Sequence, residues 1–215
     1  MPSQPQMFQG ALIALEGLDG VGKTTQAYLL AQAIASLGLP VILTREPTEG
    51  RYGQEIRRLL RHGRQGLTPE EELALFLADR REHVATVILP ALGEGAIVIT
   101  DRYYFSSMAY QGALGLDPQE IQQRHEAFAP RPDLVIILDL PLDAIVRRLQ
   151  LRGEPLSPSF ENIAYLARVG EIFAQMAAPF IVRVHGGGSE TEVQARILAA
   201  VRHVVPLPAP DGQQV

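Results

Sequence analysis

Residues 17–25 carry the side chains and the spacing needed to hold phosphate groups. They read Gly17-Leu18-Asp19-Gly20-Val21-Gly22-Lys23-Thr24-Thr25. In a glycine-rich loop of this form the backbone N–H groups contact phosphates, the lysine reaches the terminal phosphates and the first threonine hydroxyl binds Mg²⁺. Lys23 is the single lysine among the 19 lysine and arginine residues of the chain, which indicates that a compact ammonium group is needed here. We therefore predict a phosphate site with Lys23 as a catalytic residue and Thr24 as a metal ligand.

The segments on either side of this loop match the structure that a phosphate-binding loop requires. An apolar run at residues 11–15 is short enough for a buried strand. After the loop, one helical face would carry the apolar residues Ala27, Leu30, Ala31 and Ile34. The loop would therefore join a strand to the N-terminus of a helix, whose dipole attracts anions. A glycine-rich turn without a ligand is the alternative interpretation.

Charged residues follow two further apolar runs, at points where parallel strands would end. Arg45 and Glu46 follow a Val-Ile-Leu-Thr run, and Asp101 and Arg102 follow an Ala-Ile-Val-Ile-Thr run; we predict both runs to be buried strands. Ligands bind at the carboxyl ends of strands in open parallel sheets. Asp101 is therefore a candidate ligand of Mg²⁺, directly or through water, and Arg102 a candidate bridge between phosphates. The alternative for Arg45 and Glu46 is a solvated loop, and the alternative for Asp101 and Arg102 is a structural ion pair.

A helix with a strong start signal carries a second pair of candidates. Thr68 followed by Pro69 and by Glu71 is typical of a helix N-terminus. Phe76 and Arg80 lie four positions apart on the helix that follows, so a ring for stacking would lie beside a planar hydrogen-bond donor. The alternative is a core phenylalanine next to a surface arginine.

The alternation of strands and helices predicts the fold class. Residues 135–138 and 180–184 are typical of two further strands, and residues 191–205 of a closing amphipathic helix. The expected fold is α/β, a P-loop NTPase-type parallel five-stranded sheet with helices on both faces and a short mobile lid.

The chain length favours one domain with a sizeable core. We place it at residues 10–205, between disordered tails at residues 1–9 and 206–215. The lid is predicted at about residues 148–160. There, arginines that include Arg148 and Arg152 precede a segment rich in glycine, proline and serine. An ordinary helix followed by a loop is the alternative for this segment.

The composition argues against several functional classes. The formal net charge of −5 disfavours general binding to nucleic acid or to an anionic membrane. The absence of cysteine excludes disulfides, cysteine-ligated zinc and thiol catalysis. No apolar run approaches the roughly 18 residues that span a bilayer, and residues 1–9 lack the order of a signal peptide. We therefore expect a cytoplasmic protein without nucleic-acid or membrane partners.

Several motifs occur together in the order found in one enzyme family. The motifs are Glu16-Gly17-Leu18-Asp19-Gly20-Val21-Gly22-Lys23-Thr24-Thr25-Gln26, Thr44-Arg45-Glu46-Pro47, Gly53-Gln54-Glu55-Ile56-Arg57, Leu75-Phe76-Leu77-Ala78-Asp79-Arg80-Arg81-Glu82-His83, Asp101-Arg102-Tyr103, Ser106-Ser107-Met108-Ala109-Tyr110-Gln111-Gly112 and Pro132-Asp133-Leu134. With these motifs, over about residues 10–205, the chain resembles thymidylate kinases.

The resemblance implies transfer of the γ-phosphate of ATP to dTMP, with Mg²⁺, in a homodimer. Residues 17–25 would bind ATP. It further implies that Phe76 stacks on thymine, that Arg80 donates to its O4 atom, and that Ser107 and Gln111 line the base pocket. Tyr110 would lie against the deoxyribose.

The resemblance also implies how the phosphates are held. Arg57 and Arg102 would clamp the dTMP phosphate, with Arg45 and Glu46 close by. Asp19 would lie near the sugar and phosphate of the acceptor. Arg148 and Arg152 would lead into the lid and supply charge to the reaction as catalytic residues.

The chain departs from the family pattern at two places. Thr48-Glu49-Gly50 stands where the commoner bacterial form has Gly-Gly-Thr, and Pro158-Ser159-Phe160-Glu161 stands where Asp-Arg-Phe-Glu is usual. Two other functions stay open at this point: a kinase of the same fold for another nucleoside monophosphate, and a nucleotide-dependent ATPase switch.

Overall fold

The computed structural model describes residues 10–63, 66–151 and 163–207. Within these residues one parallel sheet contains five strands, in the order β2-β3-β1-β4-β5. The strands are β1 (Ala11–Glu16), β2 (Val41–Arg45), β3 (Ile97–Asp101), β4 (Leu134–Asp139) and β5 (Ile181–His185). The predicted P-loop type of sheet is thereby confirmed.

Helices connect these strands throughout the described part of the chain. They are α1 (Lys23–Ala35), α2 (Arg51–His62), α3 (Pro69–His83), α4 (Leu89–Gly93), α5 (Tyr104–Tyr110), α6 (Pro118–Glu126), α7 (Leu142–Leu151), α8 (Ile163–Gln175) and α9 (Glu190–Val201). No helix among them is long and apolar enough to cross a membrane.

The core consists of two apolar clusters, one on each face of the sheet. Leu12 of β1 points into a cluster with residues of α3, α5 and α8, whereas its neighbour Ile13 points into a cluster with residues of α1 and α9. Both side chains are at least 99% buried, and burying one such side chain contributes about 1.5–3 kcal/mol. The prediction of helices on both faces is confirmed, and the unbroken apolar runs of β1, β3 and β4 follow from burial on two sides.

The prediction that residues 41–44 form a buried strand was wrong in one respect. β2 lies at the edge of the sheet, with β3 as its one neighbouring strand. Ile42 and Leu43 are 39% and 42% exposed. An apolar run predicts a strand, but strand order depends on contacts between distant segments, so the run could not reveal an edge position.

The predicted helix start at Thr68 is confirmed. The Thr68 hydroxyl accepts a hydrogen bond from the Glu71 backbone N–H at 3.2 Å, and the Glu71 carboxylate accepts one from the Thr68 N–H at 2.8 Å. Beyond α3 the helix continues through a π-helical turn, Val84–Ile88, into α4. This turn lies just before Pro90, which cannot donate a helical hydrogen bond.

The predicted lid and tails lie mainly outside the described residues. Arg148 belongs to α7, whereas Arg152, Pro158 and Ser159 are outside the described part. At the C-terminal end, Leu207 still packs against the core cluster that contains residues of α9. The proposed domain limits therefore remain a prediction.

Candidate functional site

The phosphate loop connects the buried end of β1 to the first residue of α1. Gly22 precedes the helix with φ +110°, a conformation that favours glycine. At Gly17, a Cβ atom would lie 2.4 Å from the carbonyl oxygen of Leu138, so β4 can approach only a glycine. No side chain caps the N-terminus of α1 in this described segment. Its first N–H groups and its dipole therefore suit bound phosphate oxygens.

Lys23 lies folded over this loop. Its ammonium group donates to the carbonyl oxygen of Leu18 at 2.8 Å and lies 4.0 Å from the Asp19 carboxylate. Burial lowers the pKa of Lys23 to about 8, an effect that Arg102 adds to and Asp19 opposes. The group is therefore still mainly charged at neutral pH, and bound phosphates would favour the charged form further.

Thr24 and Asp101 come together at the ends of α1 and β3. The Thr24 hydroxyl donates to Asp101 Oδ2 at 2.5 Å. The other carboxylate oxygen, Oδ1, is buried and has no hydrogen-bond partner within the described residues. A buried carboxylate oxygen without a partner is costly unless it meets a cation or a hydrogen-bond donor. This donor set of one hydroxyl and one carboxylate fits a hard divalent cation that keeps other ligands from phosphates and water.

Arg102 links the phosphate loop to the next pocket. Its φ angle is +74°, which is unusual for a residue other than glycine. Its guanidinium pairs with the Asp19 carboxylate through Nη2 and donates to the Ser106 hydroxyl at 3.0 Å through Nη1. Burial opposes the charge of this group, but Asp19 and the neighbouring acidic groups raise the pKa of Arg102. Arg102 therefore places a permanent positive charge between the two pockets.

A second pocket opens beside Arg102. It is lined by Pro47, Leu60, Glu72, Phe76, Arg102, Ser106, Ser107, Tyr110 and Gln111. Five of these are predicted dTMP-binding residues that come from three separate motifs. The Gln111 amide nitrogen donates to Glu72 at 2.8 Å, and its buried amide oxygen has no partner within the described residues. An apolar wall beside hydrogen-bonding groups suits a flat, polar-edged ring.

Arg80 is not the surface arginine of the alternative interpretation. It is 1% exposed. Glu46 accepts a hydrogen bond from its Nε at 2.7 Å, and the same carboxylate forms an ion pair with its Nη2 at 2.5 Å. Its Nη1 donates to the Ser107 hydroxyl at 3.0 Å. Glu46 thus lies against Arg80, which also contacts Ser107 of this pocket, whereas the family resemblance suggested a place near the phosphate clamp.

Two histidines complete the surroundings of Arg80. His83 Nδ1 lies 2.9 Å from Glu46, and its Nε2 lies 2.7 Å from the Thr44 hydroxyl. Burial and the charge of Arg80 lower the pKa of His125, which lies against the guanidinium. His125 is therefore neutral at physiological pH, so the positive charge of Arg80 is balanced by Glu46.

Two further predicted dTMP-binding arginines, Arg57 of the expected phosphate clamp and Arg45 beside it, meet at Glu49. Arg57 Nη2 donates to Glu49 at 2.7 Å and its Nη1 to the carbonyl oxygen of Pro47 at 2.8 Å, and Arg45 pairs with the same carboxylate. The loop that carries Glu49 is fastened to α3, because the Thr48 backbone N–H donates to Asp79 at 2.9 Å. The departure from the family pattern therefore places a carboxylate between two cations.

Arg148 of α7 contacts the phosphate loop at Val21. Its guanidinium donates to the carbonyl oxygens of Val21 at 3.4 Å and Gly186 at 3.1 Å. A groove of about 380 Å³ runs from the loop past Arg148 to residues 186–190. Its position suits the sugar and base of a nucleotide whose phosphates lie on the loop. Residues 186–190 were not among the predicted site residues.

Sequence reasoning also missed Glu16, Glu72, Asp79 and His83. All four are at most 3% exposed, and each contacts a site residue or the loop that carries one. One signal was available: each is a charged or polar residue at a position where its strand or helix faces the core.

Three features together define a nucleotide kinase of the P-loop class. They are a glycine-rich loop after β1, a hydroxyl and carboxylate pair beside that loop, and a second pocket joined to the loop by an arginine. The chain belongs to the thymidylate kinase family. The family profile matches residues 15–197. Three similar proteins align with this chain over most of its length and most of their own.

A thymidylate kinase of Akkermansia muciniphila is 45% identical over 193 residues, covering 90% of this chain and 92% of that protein. One of Desulfotalea psychrophila is 47% identical over 197 residues, covering 91% and 96%. A probable thymidylate kinase of Pyrococcus horikoshii is 43% identical over 208 residues, covering 91% and 98%.

Proposed function

We propose that this chain transfers the γ-phosphate of ATP to dTMP, giving ADP and dTDP in the synthesis of dTTP. Membership of the thymidylate kinase family supports this activity. The structural observation that carries it is the Asp19–Arg102 ion pair, which joins the phosphate loop to the pocket that contains Phe76 and Ser107. A transfer enzyme needs two such sites in contact, whereas an ATPase switch needs one.

On the donor side, backbone N–H groups of residues 17–25 would hold the phosphates of ATP, and Lys23 would exchange its contact with Leu18 for the β- and γ-phosphates. Thr24 and Asp101 would hold Mg²⁺, since the unpartnered Asp101 oxygen lies beside the loop. When bound, Mg²⁺ neutralises charge that develops on the transferred group.

On the acceptor side, Arg102 and Arg57 would bind the dTMP phosphate, with Arg45 close to them. The ring of Phe76 would stack on thymine. Three polar side chains would meet the edge of the base, and two would lie beside the sugar. The former are Arg80, Ser107 and Gln111, and the latter are Asp19 and Tyr110, whose side chains lie 3.4 Å apart.

The protein's contribution to the chemistry is positioning and charge. The acceptor phosphate is already ionised near neutral pH, so no strong base is required. Lys23, Arg102 and the arginines of the lid, Arg148 and Arg152, would surround the transferred group with positive charge as it moves in line between the two oxygens. Arg148 supports this role, because it already contacts the loop.

The proposal includes the organisation of the protein. Residues 10–205 would form one kinase domain with a lid at about residues 148–160 between flanking tails. The working protein would be a cytoplasmic homodimer that binds nucleotides but not nucleic acid.

An ADP-release assay with ATP, Mg²⁺ and one acceptor at a time tests the function. The acceptors are dTMP, dUMP, UMP, CMP, AMP and GMP. Turnover with dTMP at least about tenfold above the others is expected, a difference of about 1.4 kcal/mol in transition-state binding. Equal turnover with another acceptor would indicate a kinase for that nucleotide, and ADP release without any acceptor would indicate an ATPase.

A further inference from the structure

Glu16 is a fully buried carboxyl group to which the proposed mechanism assigns no role. It is the last residue of β1 and is 0% exposed. Its Oε1 accepts hydrogen bonds from the backbone N–H groups of Tyr103 at 2.7 Å and Ser106 at 3.2 Å, and its Oε2 accepts one from the Ser106 hydroxyl at 2.6 Å. Burying a carboxylate is costly, and three donors offset that cost.

The Ser106 hydroxyl connects Glu16 to Arg102. A hydroxyl has one hydrogen and two lone pairs. When Glu16 is ionised both of its oxygens only accept, so the hydrogen of Ser106 points to Oε2 at 2.6 Å. The lone pairs are then left for Arg102 Nη1, which donates at 3.0 Å. The donor directions therefore run from Arg102 through Ser106 to Glu16.

The position of the Arg102 side chain depends on such contacts. Its backbone has φ +74°, a conformation that costs an ordinary residue about 1–2 kcal/mol. Its N–H donates to the carbonyl oxygen of Leu15 at 3.0 Å, and its carbonyl oxygen accepts from the Thr100 hydroxyl at 2.7 Å. These contacts fix where the side chain leaves the backbone. Ser106 and Asp19 then hold the two Nη atoms of the guanidinium.

We propose that Glu16 is a positioning residue for Arg102, and that it acts by holding the Ser106 hydroxyl as a donor to itself and an acceptor of Arg102 Nη1. Glu16 touches neither nucleotide in this account. It fixes the Ser106 hydroxyl so that a lone pair of its oxygen faces Arg102 Nη1. The guanidinium is then oriented before the phosphate of dTMP binds. The inference rests on the proposed function, since it takes Arg102 as the residue that binds that phosphate.

Replacing Glu16 by glutamine is a sharp test, because the shape is kept while one acceptor becomes a donor. The two backbone N–H groups near Oε1 require the amide oxygen on that side. The amide nitrogen then takes the place of Oε2 and donates to Ser106. The hydroxyl hydrogen of Ser106 then has to turn away from residue 16, so Ser106 no longer presents a fixed lone pair to Arg102 Nη1.

The experiment compares Glu16→Gln, Ser106→Ala, the double variant and Arg102→Ala in steady-state kinetics with dTMP and ATP. Asp133→Asn is the matched control, because Asp133 accepts a hydrogen bond from Leu12 at 2.8 Å at the opposite end of β1. Thermal unfolding of each variant shows whether it is folded.

Each single variant should lower kcat/KM for dTMP by about tenfold or more, with KM for ATP within about twofold of the wild type. The double variant should lose no more kcat/KM than the more impaired of its two single variants, because both changes break the same series of contacts. Asp133→Asn should stay within about twofold of the wild type.

Three results would overturn the inference. They are wild-type kinetics of Glu16→Gln and Ser106→Ala, losses in kcat/KM that multiply in the double variant, and an equal rise in KM for dTMP and for ATP. If Glu16→Gln does not fold, Ser106→Ala decides by the same dTMP-selective loss. A small effect of Arg102→Ala, under about fivefold, would instead refute the assignment of Arg102 in the proposed function.

Discussion

Asp19 of the phosphate loop pairs with Arg102, the residue that follows β3. The pair joins a residue of the predicted ATP site to a residue of the predicted dTMP site. Because Arg102 is also held by Ser106 at 3.0 Å, its guanidinium is fixed at both ends. The junction of the two pockets is therefore ordered by the protein itself, which is what a direct transfer between two bound nucleotides requires.

Lys23 should be irreplaceable even by arginine. Its ammonium reaches the carbonyl oxygen of Leu18 inside the loop, in a place that is 5% exposed, and a planar guanidinium has a different size and donor geometry. We expect Lys23→Met and Lys23→Arg to lower kcat about 10²-fold or more. Arg147→Met is the control, since Arg147 is 69% exposed and pairs with Asp143. A loss under about fivefold in folded Lys23→Met would contradict the role of Lys23.

Glu46→Gln should destabilise the protein and weaken dTMP binding together. Glu46 balances the buried charge of Arg80, accepts a hydrogen bond from its Nε and forms an ion pair with its Nη2. Removing one partner of a buried ion pair costs about 3–5 kcal/mol, which urea unfolding would measure. KM for dTMP should rise, because Arg80 loses the contact that orients it.

Glu70→Gln is the control for this prediction. Glu70 pairs with Arg124 at 2.8 Å, but the two side chains are 55% and 35% exposed. The expected cost is under about 1 kcal/mol. Equal destabilisation by the two substitutions would show that burial of the Glu46–Arg80 pair does not matter.

Glu49→Gln should strengthen dTMP binding. Arg45 holds the pKa of the exposed Glu49 carboxyl below its usual range, with Arg57 adding to the effect. In the proposed function Glu49 would therefore compete with the acceptor phosphate for Arg57 and the neighbouring Arg45. We expect KM for dTMP to fall by about two- to threefold at low ionic strength, and less at high salt, where exposed pairs are screened. An unchanged or higher KM would mean that Glu49 supports phosphate binding.

The stability of the protein should depend on Glu16 and pH in a specific direction. Burial raises the pKa of Glu16 to about 7, although hydrogen bonds from Ser106 and Tyr103 and the charges of Arg102 and Lys23 oppose it. The folded state therefore keeps the proton longer than the unfolded chain. This contribution to stability is complete below the unfolded pKa and is lost as the pH rises through the folded pKa.

Comparison with Glu16→Gln isolates this effect. The free energy of unfolding of the wild type relative to Glu16→Gln should fall by about 2–3 kcal/mol between about pH 5 and pH 8. Denaturant titration at several pH values measures it. A difference that is independent of pH, or that grows with pH, would contradict the raised pKa of Glu16.

The sequence was most informative where structure is local. The apolar runs predicted β1, β3 and β4, and the Thr68 signal predicted the start of α3, because strand burial and helix capping depend on neighbouring residues. The exposure of β2 was not predictable in this way. It follows from the strand order, which results from pairing between segments far apart in the chain.

The contacts between site residues were also beyond the sequence. Glu16 meets Ser106 across 90 positions, and Arg80 meets Glu46 across 34. Motifs named Arg102, Arg80 and the phosphate loop as candidates, but only the folded chain shows which carboxylate balances which arginine. The role of Glu49 between two arginines likewise depends on the packing of its loop against α3.

The most direct test of the central claim follows the phosphate itself. The wild-type protein is incubated with ATP labelled at the γ-phosphate, Mg²⁺ and dTMP, and the labelled products are separated. We predict label in dTDP in equal amount to the ADP formed, with little inorganic phosphate, because the two pockets meet at Asp19 and Arg102. Label released as inorganic phosphate, with no labelled dTDP, would contradict the account.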